Sequence, residues 1–332
     1  MKICQRLLLV LVVVTTVACS RTKPKTVITD ADNPVDLQVK VSTPFRFVAY
    51  GDTRFTDPHD TDASNPLVRR ALVQAIADVH PAFISIGGDI SYNGQDANDW
   101  KIWDEETAVW RQNKIPVFPA LGNHDLHGDV RVALGNYFAR FPELQNSRYY
   151  SVRAANCIML VLDSSLDEMA GPQGEWLRRK LDTMPDDVDF IFLVLHHPPY
   201  TSSSDAKKYG GGHSARNAEM MLAKMLEARQ QNMRTRIVVF ASHVHNYERH
   251  EHGGVTYFVT GGGGAHAYPI ERGPDDPFPD HNINYHYLLA EVDREKLKVT
   301  MNRLDLTTGQ AVWTEPDVVN MLTQNRVTAK NP

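Results

Sequence analysis

The sequence predicts an α/β fold, because short apolar runs typical of β-strands alternate with segments of helical periodicity from residue 45 onward. Polar residues recur where apolar runs end, at intervals close to the length of a βαβ unit. Asp52 and Asp89 are 37 positions apart, and Asn123 follows Asp89 by 34. Since crossovers bring the carboxyl ends of parallel strands to one edge of a sheet, these residues are expected to lie together.

Each element follows from its local pattern. In the first half, strands are predicted at 45–50, 82–86 and 116–121, and helices at 66–79 and 98–112. Ser64 or Asn65 is the expected N-cap of the first helix. The second half predicts a mixed sheet with strands at 149–152, 158–163, 190–195, 237–241 and 255–260, helices at 174–181 and 215–230, and a final hairpin of 287–292 with 297–303.

Composition and length indicate one main domain, placed at residues 43–315, with 316–332 as a C-terminal tail. No linker rich in Pro, Gly or Ser divides the 332 residues. The 35 basic and 40 acidic residues give a net charge of -5 without long runs of one sign. This balance argues against a nucleic-acid-binding patch. The sequence makes no prediction about oligomeric state.

The N-terminal residues are expected to be a targeting segment. Lys2 and Arg6 precede an apolar stretch at 7–18 that is shorter than the roughly 20 residues of a membrane-spanning helix, so 1–18 are interpreted as a signal peptide. The residues around Cys19, Thr-Val-Ala-Cys-Ser, are similar to a bacterial lipoprotein cleavage box. An ordinary secretory signal cut near Ala18 is the alternative. The favoured interpretation is an exported protein, lipid-anchored through Cys19 to a bacterial membrane and facing the periplasm or the exterior.

The segment 19–42 is polar and contains two prolines, so it is interpreted as a lipidated tether. Of the three cysteines, Cys4 would be removed with the signal peptide and Cys19 acylated. Cys157 would then be alone, so no intrachain disulfide is expected.

Five polar clusters carry the chemistry: Gly51-Asp52, Gly88-Asp89-Ile90-Ser91-Tyr92, Gly122-Asn123-His124-Asp125, His196-His197-Pro198 and Ser242-His243-Val244-His245. Taken alone, Asp52 or Asp89 is as readily a turn or helix-cap carboxylate. Together the clusters offer a mixed oxygen and nitrogen donor set that suits hard or borderline metal ions. Two ions sharing one carboxylate would clamp a phosphoryl group and generate a hydroxide to attack it.

In order and residue type, these clusters resemble the signature of the calcineurin-like metallophosphoesterases, and Tyr92 resembles the phenolate ligand of their purple acid phosphatase branch. The resemblance implies a four-layer α/β/β/α sandwich with mixed sheets. It also implies two metal sites that share Asp89 as the bridging ligand. One would be held by Asp52, Asp89, Tyr92 and His245, and the other by Asp89, Asn123, His196 and His243.

Arg54 stands where many family members carry a histidine ligand, and it cannot bind a metal because it stays protonated. Tyr92 would supply the missing ligand, unless it is a half-buried packing residue. Arg54 is instead a candidate phosphate contact, although arginine is also a common surface residue. A phenolate with two carboxylates favours Fe at the first site, while the second would hold Fe, Zn or Mn.

The resemblance implies hydrolysis of a phosphate-ester substrate, most simply a phosphomonoester. His124 is the first candidate proton donor, oriented by Asp125, and His213 is the second and a further substrate contact. A phosphodiesterase or nucleotide pyrophosphatase is the enzymatic alternative. A non-catalytic lipoprotein that binds phosphate or a partner is the alternative from another class, and loss of ligands would be its sign. All seven ligand positions are filled.

Overall fold

Two β-sheets pack face to face in the computed structural model, which describes residues 34–166, 171–203 and 214–323. Phe47 of one sheet lies at their contact, with its ring 4.9 Å from Phe192 and 6.0 Å from Phe240 of the other. Phe83, the residue just before the strand at Ile84–Ile86 of the same sheet, stacks on Phe47 at 4.8 Å. The aromatic contacts place the largest apolar cluster of the described chain between the two sheets.

The first sheet has seven strands of mixed direction. In spatial order they are β1 (Asp36–Val39), β5 (Tyr150–Ala154), β6 (Cys157–Val161), β7 (Phe190–Val194), β8 (Arg236–Ala241), β10 (Val255–Thr260) and β9 (Tyr247–His252). The strands β6, β7, β8 and β10 are parallel, and β9 runs antiparallel at the edge.

The second sheet also has seven strands. In spatial order they are β13 (Val312–Thr314), β12 (Lys296–Asp305), β11 (Tyr285–Asp293), β2 (Phe45–Tyr50), β3 (Ile84–Ile86) and β4 (Val117–Pro119), with β14 (Val318–Leu322) also paired to β12. The strands β2, β3 and β4 are parallel. Their carboxyl ends therefore open at one edge, as the spacing of the polar clusters predicts.

Six α-helices flank the sheets within the described residues: α1 (Pro66–Asp78), α2 (Ala97–Glu106), α3 (Ala108–Gln112), α4 (Val130–Arg140), α5 (Pro172–Asp182) and α6 (Asn217–Gln230). The helix α1 buries Leu72 and Ile76 in the main core, whereas Leu177 of α5 and Leu226 of α6 lie in a second core on the far side of the first sheet. This arrangement confirms the α/β/β/α layering.

The cap of α1 is one of the sequence predictions that the structure confirms. The Asn65 side chain accepts hydrogen bonds from the backbone N–H groups of Leu67 and Val68. The expected helix at 98–112 is instead two helices that meet at Thr107. The Thr107 hydroxyl donates to the carbonyl of Trp103 at 2.6 Å, a local bond that competes with a continuous helix.

The two sheets extend beyond both expected boundaries of the main domain. The strand β1 lies inside the expected tether and pairs in parallel with β5, while β14 lies inside the expected tail and pairs with β12. Each is a short strand whose apolar residues are covered only once it pairs with its neighbour. Leu37 and Val319 are half-buried against the main core. Such strands give little periodic signal. The helix α4 and the edge strand β9 were also not predicted.

The expected signal peptide, Cys19 and the first part of the tether lie outside the described residues. Among the residues that are described, no helix combines the length and the apolar character needed to cross a membrane. Cys157 is buried as a thiol on β6.

Candidate metal centre

The loops that follow β2, β3, β4, β7 and β8 meet where both sheets end, and each carries one of the predicted polar clusters. The first two loops bind each other through backbone hydrogen bonds, from Asp52 N–H to Gly88 O at 3.0 Å and from Arg54 N–H to Asp89 O at 2.9 Å. Asp52, Asp89 and His243 have positive φ angles of 56°, 52° and 71°. Such strained backbone at non-glycine residues is concentrated at functional sites.

Glycine allows the loops to approach this closely. A Cβ atom on Gly122 would lie 2.3 Å from both the backbone nitrogen and the Oδ1 atom of Asp89. The Ser242 side chain fits between these loops because Gly51 and Gly87 leave room for it. A Cβ on either glycine would lie within 2.2 Å of the Ser242 hydroxyl oxygen.

One group of predicted ligands consists of Asp52, Asp89 and His245, all buried, with ligand atoms within 4.8 Å of one another. His245 Nδ1 donates to the carbonyl of His266 at 2.7 Å, which leaves Nε2 to face Asp52 Oδ1 at 3.6 Å. Asp52 Oδ2 accepts the backbone N–H of His243, while Asp52 Oδ1 has no hydrogen-bond partner among the described residues. A buried carboxylate oxygen without a partner fits a position that a cation would satisfy.

The second group converges on His196. Its Nδ1 atom donates to the Gly87 carbonyl at 2.9 Å, so its Nε2 lone pair is directed inward. This Nε2 atom lies 3.0 Å from Asn123 Oδ1, 3.0 Å from His243 Nδ1 and 3.4 Å from Asp89 Oδ1. The donors expected of the second metal site thus surround one point, and Asp89 belongs to both groups.

The charges of the two aspartates also fit a cation site. Burial and the nearby charge of Asp89 raise the pKa of Asp52 well above its usual value. Burial alone would raise the pKa of Asp89 too, but His196 and Arg54 hold it below its usual value. Two buried carboxylates this close cannot both ionise without further positive charge, which bound cations would supply.

Arg54 is directed at the bridging carboxylate. Its Nη2 and Nε atoms lie 3.2 Å and 3.4 Å from Asp89 Oδ2, and its side chain is 15% exposed. The guanidinium therefore lies at the centre rather than on the surface. In this position it offsets the charge of Asp89, and its role as a phosphate contact remains a prediction.

Tyr92 lies beside His124 at the mouth of the centre. Its ring stacks on the His124 ring at a centroid distance of 5.3 Å, and the residue is 37% exposed. Its hydroxyl makes no hydrogen bond to another described residue. The structure thus brings six of the seven predicted ligands into the two groups, and phenolate ligation by Tyr92 stays a prediction.

His124 is tied to the bridging carboxylate through its backbone N–H, which donates to Asp89 Oδ1 at 2.8 Å. Its Nδ1 atom donates to the Tyr92 carbonyl at 2.7 Å. Burial lowers the pKa of the His124 imidazole to about 4. The second candidate proton donor, His213, lies outside the described residues.

The expected role of Asp125 as the residue that orients the His124 ring was wrong. The Asp125 carboxylate accepts backbone N–H groups from Ile90, Ser91 and Gly122 at 2.9–3.1 Å. It joins the loops after β3 and β4 instead. Burial and the charge of Asp89 raise the pKa of Asp125 to about 7.

His197 was not among the predicted ligands, but its ring lies 4.3 Å from that of His243. With His196 and His243, it forms a group whose ligand atoms are within 4.8 Å of one another. The Nδ1 atom of His197 lies 2.8 Å from the Ser164 hydroxyl. The adjacent histidine pair was the available signal. The backbone carbonyls of Gly87 and His266, which bind the rings of His196 and His245, could not be predicted because every residue type carries a backbone carbonyl.

Comparison with known proteins agrees with this geometry. The family model for calcineurin-like phosphoesterases matches residues 45–247, more than half of the chain. Phosphoenolpyruvate phosphatase of Allium cepa is 29% identical over 213 residues, which cover 58% of this chain and 40% of that protein. The chain thus spans less than half the length of this curated relative.

Two solved structures share the fold. A purple acid phosphatase from yellow lupin (Lupinus luteus) seeds superposes with a TM-score of 0.61 at 17% identity, covering 85% of this chain and 54% of that one. GAP50, the anchor in the inner membrane complex of Plasmodium, gives a TM-score of 0.58 at 16% identity, covering 86% and 90%. At these identities the likeness concerns the fold alone. The match of the family model over the segment that carries all five clusters shows that the chain belongs to the calcineurin-like phosphoesterase family.

Proposed function

We propose that this chain is a metal-dependent hydrolase of phosphate esters, most simply phosphomonoesters, with a dinuclear centre bridged by Asp89. The observation that carries the proposal is the convergence of ligands around His196 Nε2, which lies 3.0–3.4 Å from donors on three other loops. Backbone carbonyls fix the rings of His196 and His245 so that their Nε2 lone pairs face the acidic residues. A degenerate member of the family would not need to keep these rings oriented.

The residues present fit two metal ions. Asp52, His245 and one oxygen of Asp89, completed by Tyr92, would hold the first, and Asp89, Asn123, His196 and His243 the second. When bound, such a pair activates a water nucleophile and stabilises the charge on the transferred phosphoryl group. We propose Fe at the first position and Fe, Zn or Mn at the second, because the donors are carboxylate, phenolate, imidazole and amide groups.

The residues around the centre would bind the substrate phosphate and protonate the leaving group. Arg54 directs Nε and Nη2 at Asp89, so the remaining N–H groups of its guanidinium would contact a phosphate oxygen. His124 has its Nδ1 committed to the Tyr92 carbonyl, so it would give a proton to the leaving group from Nε2 only as the imidazolium, a form that its lowered pKa restricts to acidic solution. His213 is kept as a second proposed donor and substrate contact.

The proposed substrate class is the phosphomonoester, and two points support it. The Allium cepa relative is named for phosphoenolpyruvate, which is a phosphate monoester. The resemblance of the Tyr92 cluster to the purple acid phosphatases points the same way. Diesters and nucleotide pyrophosphates are the competing classes within the same chemistry.

The test is turnover by metal-stripped protein to which Fe, Zn or Mn is restored, with an aryl phosphate and a bis-aryl phosphate compared side by side. We expect metal-dependent release of the aryl alcohol, faster from the monoester. A faster rate with the diester would move the assignment to a phosphodiesterase. Metal uptake without turnover of any ester would favour the non-catalytic alternative, a phosphate- or partner-binding protein.

We also propose that the protein is exported and anchored to a bacterial membrane by a lipid on Cys19. The support is the apolar segment and cleavage box of the first twenty residues. Cys19→Ser should move the protein from the membrane to the soluble fraction while its esterase activity is unchanged. Membrane association of the processed Cys19→Ser protein would contradict the anchor.

A further inference from the structure

A second group of histidines and acidic residues lies on the edge strand β9. Glu248, His250 and His252 alternate along this strand, so their side chains share one face. Asp275, on the loop that precedes β11, reaches the same face. At about 3.3 Å of rise per residue, His252 lies roughly 16 Å along the strand from Tyr247, which is two residues beyond the ligand His245.

Three atoms in this group that could bind a metal ion lie close to one another. His250 Nδ1 lies 3.4 Å from Asp275 Oδ2, and His252 Nε2 lies 3.5 Å from the same oxygen. Both nitrogens are buried, and neither has a hydrogen-bond partner among the described residues. The His250 side chain is 1% exposed, so water does not satisfy its ring. Two buried imidazole nitrogens that face one carboxylate oxygen without a hydrogen bond fit a position that a cation would occupy.

The opposite nitrogen of His250 fixes its orientation. His250 Nε2 lies 3.1 Å from Glu248 Oε2, and Glu248 is fully buried. Glu248 is held in turn by the Thr201 hydroxyl at 2.7 Å and the Ser202 backbone N–H at 2.5 Å. A carboxylate that accepts one ring N–H of a histidine and turns the other nitrogen toward an ion is the usual support of a metal ligand.

Asp276, the next acidic residue, does not belong to the set. Its carboxylate is already occupied by the Arg272 guanidinium and by the backbone N–H groups of Arg249 and Phe278. Asp275 has no such partners within 34–166, 171–203 and 214–323, and its side chain is 47% exposed. The ligand set is therefore confined to two histidines and one aspartate.

We propose that His250 Nδ1, His252 Nε2 and Asp275 Oδ2 form a third metal site, separate from the dinuclear centre, which binds a divalent ion of the Zn²⁺ class. Ligand atoms at 2.0–2.1 Å from a tetrahedral Zn²⁺ are about 3.3 Å apart, close to the two distances observed. Imidazole and carboxylate donors suit this class of ion. Three protein ligands leave the fourth position to solvent, on the side where the Asp275 side chain is exposed.

A metal ion at this site would link two loops to the edge strand of the first sheet. One carries Asp275. The other begins after His196 and His197, and its Tyr200 ring stacks on His252 at 3.9 Å. Thr201 and Ser202 of this second loop hold Glu248. An ion bound at β9 would therefore stabilise the segment that continues from the ligand strand β7.

The test is a count of bound metal. Metal-stripped full-length protein is dialysed against micromolar Zn²⁺, and zinc per chain is measured by elemental analysis. Asp275→Asn is expected to bind one zinc ion fewer per chain than wild type, because it removes the carboxylate charge that both histidines face. The side chain is exposed, so the substitution should leave the packing of the core unchanged. Glu248→Gln is expected to keep the site but weaken it by about 10-fold or more.

Asp62→Asn is the matched control, an exposed aspartate outside both groups, and it should bind as much zinc as wild type. Repeating the comparison in an Asp89→Asn background separates this site from the dinuclear centre, since the same single equivalent should still be lost. Equal zinc uptake by wild type and Asp275→Asn would overturn the proposal and leave a His250 imidazolium between its carboxylates. Equal losses in Asp275→Asn and Asp62→Asn would also overturn it.

Discussion

The dinuclear centre and the β9 site are built from the same residue types in different ways. The centre takes its donors from five loops that belong to both sheets, and Asp52, Asp89 and His243 hold left-handed backbone to reach it. The β9 site takes two donors from one regular strand and the third from one loop. The difference teaches that the ligands of the centre come together only when both sheets have formed and packed. By contrast, the alternation of side chains along one strand is enough to place His250 and His252 on the same face.

Their surroundings differ as well. At the centre, backbone carbonyls orient His196 and His245, and Arg54 offsets the charge of Asp89. At β9 a buried carboxylate, Glu248, orients His250. The first arrangement preserves open donor positions beside a substrate, and the second resembles the support of a structural ion.

The largest effect is expected from Asp89→Asn, which removes the charge shared by both ligand groups of the centre. Phosphatase turnover should fall by about 10³-fold, since several kcal/mol of transition-state stabilisation would be lost. Steady-state rates on an aryl phosphate, with metal content measured in parallel, provide the check. Turnover within a factor of two of wild type, with metal retained, would show that the centre is not the catalytic site. The β9 site should keep its zinc in this variant.

Tyr92→Phe should give the next largest effect. Iron-loaded wild type is expected to show a visible phenolate-to-metal absorption band, and the Phe variant to lose it. Binding of the first metal should weaken by about 10-fold or more, while the ring keeps its stacking on His124. Absorption spectra and metal content of both proteins decide the matter. An iron-loaded wild type without the band would separate this chain from the purple acid phosphatase branch.

Asp275→Asn should change metal-dependent stability rather than catalysis. At zinc 100-fold above its dissociation constant, an occupied β9 site would add about 2.7 kcal/mol to the free energy of unfolding. This corresponds to roughly 4 °C in Tm for a domain of this size, because each residue contributes about 2.1 cal/mol/K to the entropy of unfolding. Thermal unfolding of wild type, Asp275→Asn and Asp62→Asn, each with and without zinc, measures the difference. A zinc-induced shift of equal size in Asp275→Asn would place the stabilising ion elsewhere.

Ser242→Gly, which removes a small side chain beside the centre, should have the smallest effect. The buried Ser242 hydroxyl has no hydrogen-bond partner among the described residues, so its removal relieves an unsatisfied group. Glycine adds about 0.5–1 kcal/mol of backbone entropy cost, which opposes that gain. Turnover is expected to stay within a factor of two, and a loss above 10-fold would reveal a role for the hydroxyl.

The sequence alone predicted the fold class and most strands, because apolar runs and helical periodicity are local properties of the chain. The strands Phe45–Tyr50 and Val255–Thr260 match their expected bounds, and Asn65 caps α1 as expected. The order of the polar clusters, which follow strand ends, also identified the family. These conclusions needed only residue types and their spacing.

Tertiary structure decided what depends on partners distant in the chain. Leu37 and Val319 lie on strands because β5 and β12 offer them edges, which no local period reveals. Asp125 joins two loops rather than orienting His124, because its carboxylate accepts hydrogen bonds from three backbone N–H groups. The β9 site shows the same limit: alternation places His250 and His252 on one face, but only the packing of the loop before β11 brings Asp275 to them.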